Sequence, residues 1–128
     1  MNTHKRLGIW MDHASAHIMP LTAGDMATEV VESGFTQELK EDTLDNSETH
    51  MHNAEQHLHH AYYKKLGAII KDYTDVLLFG PTKAKEELYN ILKADHLFEK
   101  IDIVVKHADK MTDNQQHAFV REYFQHKL

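Results

Sequence analysis

Five histidines, His50, His52, His57, His59 and His60, crowd between residues 50 and 60 of a 128-residue chain that has twelve histidines in all. Neutral imidazole is the commonest metal ligand and titrates close to neutral pH, so this segment could hold a transition metal or sense acidity. A zinc site needs nitrogens converging at about 2.0–2.1 Å, which on a helix means residues three or four apart. His57 with His60 meets that spacing and is the candidate metal pair. Glu55 with His59 is a second pair, but the two project in different directions and no His-Glu-x-x-His signature is present. The simpler reading is a solvated helix face, with His50, His52, Gln56, His57, His59 and His60 as candidate binding residues. No cofactor is indicated.

Two other groups of residues could do chemistry. Paired Mg²⁺ ions about 3.5–4 Å apart need several carboxylates on neighbouring strands, one of them in the middle of the first strand. That position is Ile9 or Trp10 here; Asp12 falls in a turn, Asp75 starts its strand and Asp109 follows the last one. Turn-forming and capping roles suit these aspartates better. Gly80-Pro81-Thr82-Lys83 puts a helix N-terminus directly after a strand, where free N–H groups can hold an anion. Thr82 and Lys83 are therefore candidate anion contacts, although Thr82 as a helix N-cap accounts for the pattern without any ligand. No serine sits in a nucleophile elbow.

Composition narrows the classes. Hydrophobic residues at 41% and charged residues at 27% suit a globular domain, and the length suits one domain spanning 1–128. The absence of cysteine excludes disulfides, thiolate metal sites and cysteine nucleophiles, and fits a cytoplasmic location. No apolar run reaches the roughly 20 residues of a membrane span. A formal charge of −6 disfavours nucleic-acid contact, which draws affinity from clustered Lys and Arg.

The elements that must position these residues follow from periodicity. Leu7, Ile9 and Met11 alternate, Asp12-His13-Ala14 turns, and Ala16 and Ile18 resume the alternation before Pro20, which predicts a hairpin. Met26 to Val31 is a third strand. The polar stretch at about 33–50 reads as a long loop, expected to be mobile in the free protein. Met51, Ala54, Leu58, Tyr62, Leu66, Ile69 and Tyr73 recur every three or four residues and predict one long helix. Val76 to Phe79 is a buried strand; a helix follows with Leu88, Ile91 and Leu92 inward; Ile101 to Val105 is the fifth strand. Thr112 and Gln115 have capping-box spacing for a last helix that buries Phe119, Val120, Tyr123 and Phe124. The order β-β-β-α-β-α-β-α predicts an α/β fold of ribonuclease H-like type, a mixed five-stranded sheet with helices on both faces.

Three short stretches then carry a resemblance: Trp10-Met-Asp12-His-Ala-Ser15, Tyr62-Tyr63-Lys64-Lys65-Leu66, and Phe79-Gly80-Pro81-Thr82-Lys83 with Glu87-Leu88. In order and spacing the chain resembles the central domain of the class I peptide chain release factors of eukaryotes and archaea and of their relative Pelota. It is more similar to stand-alone bacterial relatives of that domain, since 128 residues leave no room for the other release-factor domains. The resemblance implies a ribosome or translation factor as partner. Release in that family depends on a Gly-Gly-Gln tripeptide in the loop before the long helix, whose backbone positions a water against the peptidyl-tRNA ester. The equivalent positions fall near Leu44, Asp45 and Asn46, none of which matches, and the family's basic loop is acidic here.

The expectation is a binding module of the translation machinery without peptidyl-tRNA hydrolysis. A metal-dependent hydrolase or degenerate nuclease using the His50–His60 cluster is the alternative. A homodimer is a third reading, through hairpin edges and an exposed Trp10, although Trp10 by its type suits a core position better.

Overall fold

The computed structural model describes residues 5–21, 28–33 and 60–127. The first two strands, β1 (Arg6–Met11) and β2 (Ser15–Leu21), form the expected hairpin, with Ile9 opposite Ile18 and Trp10 opposite His17. Strand β3 (Glu29–Glu32) adds antiparallel to β2. Pro20 lies inside β2, not beyond it, past the last described β3 pair of Ile18 with Glu29, where a missing N–H is tolerated. Strands β4 (Asp75–Gly80) and β5 (Asp102–His107) pair parallel, giving the order β3-β2-β1-β4-β5. The mixed five-stranded sheet is the one the periodicity predicts.

Helix α1 is described over residues 60–70. Its expected first half, residues 51–59, and nearly all of the expected loop at about 33–50 lie outside the described residues. Tyr73 falls after the helix, in the segment that enters β4. Helix α2 (Ala84–Lys93) and a 3₁₀ turn (His96–Phe98) connect β4 to β5, and α3 (Asp113–Lys127) closes the chain.

Alternation along the strands divides the core into two layers. Leu7, Ile9, Met11, Val76 and Leu78 face α1 and α2, meeting Tyr62, Leu66, Ile70, Leu88 and Leu92. Trp10, Leu77 and Phe79 face α3, meeting Val120 and Phe124, with Phe79 stacked on Phe119 at 4.6 Å between ring centres. Among the described residues two helices thus cover one face and a single helix the other. The capping box that opens α3 is reciprocal, the Thr112 N–H donating to Gln115 Oε1 at 3.0 Å and the Gln115 N–H to Thr112 Oγ1 at 3.2 Å.

Helix α2 differs from expectation at both ends. Lys83, not Thr82, is its N-cap and makes no side-chain cap bond; Thr82 Oγ1 instead accepts from the Ala84 N–H at 3.2 Å. Ile91, expected to point inward, is 47% exposed, because the buried residues Ala84, Leu88 and Leu92 recur every four and leave position 91 on the flank.

Candidate functional site

The three stretches that carry the resemblance meet at one end of the sheet, where β1 and β4 finish. Asp12 closes the hairpin, its Oδ1 accepting from the Ala14 and Ser15 N–H groups at 2.8 and 2.9 Å while its own N–H donates to the Ser15 carbonyl. This side-chain turn is the reason for an aspartate there. The Asp12 carbonyl in turn accepts from the Tyr62 hydroxyl at 3.0 Å, tying α1 to the hairpin. The next residue, Tyr63, donates to Glu87 Oε1 at 2.5 Å, tying α1 to the first turn of α2, and His13 Nε2 lies 3.2 Å from the same oxygen.

The junction is closed underneath by two residues the sequence did not single out for that role. Gly80 has φ +153°, and a Cβ there would run into the Met11 carbonyl oxygen, so only glycine lets β4 leave the sheet against β1. Lys85, in the first turn of α2 and 2% exposed, donates its ammonium to the Thr82 carbonyl at 2.5 Å.

These bonds make a clamp. Burial, followed by the negative charge of Asp12, pushes the Tyr62 phenol far above its ordinary 10.0. Burial, followed by the hydrogen bond to Glu87 and its charge, does the same to Tyr63. Neither phenol is poised for proton transfer near neutral pH. Because the folded pKa values exceed the unfolded one, the stabilisation is complete below pH 10.0 and is lost as the pH rises above it. We expect the melting temperature to fall above that pH, and the Tyr62→Phe/Tyr63→Phe variant, which cannot ionise there, to fall less steeply. Equal alkaline slopes for the two proteins would contradict this.

On the opposite face, His17 of β2 reaches α3. Its Nδ1 donates to Gln116 Oε1 at 2.8 Å, Gln116 Nε2 donates to the Met111 carbonyl, and the imidazole lies 5.2 Å from the Trp10 ring. Trp10 is 6% exposed, which corrects the reading of it as an exposed dimer contact. Among the described residues its indole Nε1 is buried without a hydrogen-bond acceptor.

Of the candidate binding residues, His50, His52, Gln56, His57 and His59 lie outside the described residues, as do Leu44, Asp45 and Asn46. His60 is exposed at the start of described α1, on the rim of a groove of about 460 Å³ between α1 and α2 lined by Gly67, Ile91 and Leu97. Among the described residues no group of three or more His, Cys, Asp or Glu could hold a metal ion. The aspartates weighed for a two-metal site do not converge: Asp75 pairs with Arg6, so Asp12 lies six residues on, roughly 20 Å along the sheet. Asp109 is exposed, 3.6 Å from His107. At Thr82 and Lys83 the first turn of α2 already carries Glu86 and Glu87, whose carboxylates occupy the field that an anion would use.

No protein-family profile matches the sequence, and no curated protein does. Solved structures do share the fold. Pelota from Thermoplasma acidophilum matches 98% of the chain with a TM-score of 0.60 at 15% identity. Pelota from Archaeoglobus fulgidus matches 99% with a TM-score of 0.59 at 10% identity. The chain spans about a third of each, 34% and 32% of their lengths. The chain therefore shares its fold with a part of Pelota, in line with the resemblance read in the sequence. Among the described residues no helix is long and apolar enough to cross a membrane.

Proposed function

We propose that this chain is a binding module of the translation machinery, contacting a ribosome or a translation factor without hydrolysing peptidyl-tRNA. The observation that carries the reading is a Pelota-like fold over nearly the whole chain; the sequence adds that Leu44, Asp45 and Asn46, near which the release tripeptide is expected, do not match it. Without those glycines the backbone conformation that presents the water is costly. The clamp at the end of the sheet supports the same reading, since Asp12, Tyr62, Tyr63 and Glu87 use their polar groups to fix α1 against the hairpin and α2. A rigid α1 is what a contact segment at its start would need. The acidic balance points to protein contact more than to bare RNA.

Ribosome co-sedimentation at low salt tests it. The untagged chain is expected to pellet with ribosomes, to be released as salt rises, and to leave a peptidyl-tRNA ester intact over the same period. Pelleting no greater than that of an unrelated protein of equal charge would remove the proposal, and ester hydrolysis above the buffer rate would remove its non-catalytic half.

A further inference from the structure

We draw no further inference here: the strongest candidate, the groove between α1 and α2 with Ile91 and Leu97 on its apolar wall and Lys64 and Lys71 on its rim, carries nothing because nothing among the described residues shows what covers it.

Discussion

Gly80→Ala is expected to destabilise the fold by about 4 kcal/mol, combining about 1–3 kcal/mol for a side chain at an unfavourable φ with about 1–3 kcal/mol for overpacking. The position has φ +153°, and the new methyl would meet the Met11 carbonyl, which is backbone at the end of the middle strand β1 and cannot turn aside. Against the usual 5–15 kcal/mol of a domain this is about a quarter or more of the total. A drop in melting temperature of more than roughly 10 °C is the expected reading. No single side-chain truncation should rescue it, because no side chain is the obstacle. An alanine variant that melts within a few degrees of the wild type would show that the Gly80 junction is not the constraint described.

Gly8→Ala is expected to cost about 1–3 kcal/mol by overpacking, and here rescue is possible. Gly8 lies in β1 on the face covered by α3, and a Cβ there would overlap the methyl groups of Val120. The obstacle is a side chain this time. Val120→Ala removes those methyls at the cost of a cavity in the layer formed with Trp10 and Phe124. In the Gly8→Ala/Val120→Ala double variant the new methyl enters the space that Val120 vacates, so the double should be more stable than the sum of the singles by about 0.5–3 kcal/mol. Strict additivity in denaturant melts would mean that α3 does not approach β1 at this position. Gly8 and Gly80 thus separate two uses of glycine, close packing by a helix in one and a backbone path in the other.

The clamp shows how a short motif can persuade for one reason and act for another. Asp12, Tyr62, Tyr63 and Glu87 carried the resemblance in sequence, yet their polar groups are engaged with one another or with nearby backbone, holding α1 in place. Their spacing in the chain, from residue 12 to residue 87, gave no sign that they touch. His17 and Gln116 are a second such pair, 99 positions apart in sequence. Both pairings depend on which strand lies beside which.

The order of strands and helices was legible in the chain itself, because alternation, four-residue periodicity and turn chemistry act over a few neighbouring residues. The β1–β2 hairpin, the buried β4 and the capping box of α3 all follow from such local signals. Local signals also misled where two neighbours compete for one role, at Thr82 against Lys83 and at Ile91 on the flank of α2. Which face each helix covers, the burial of Lys85 and the meeting of Tyr63 with Glu87 were decided only in three dimensions. They are set by contacts between distant segments, whose free energy depends on shape and on the exclusion of water rather than on any short run of residues.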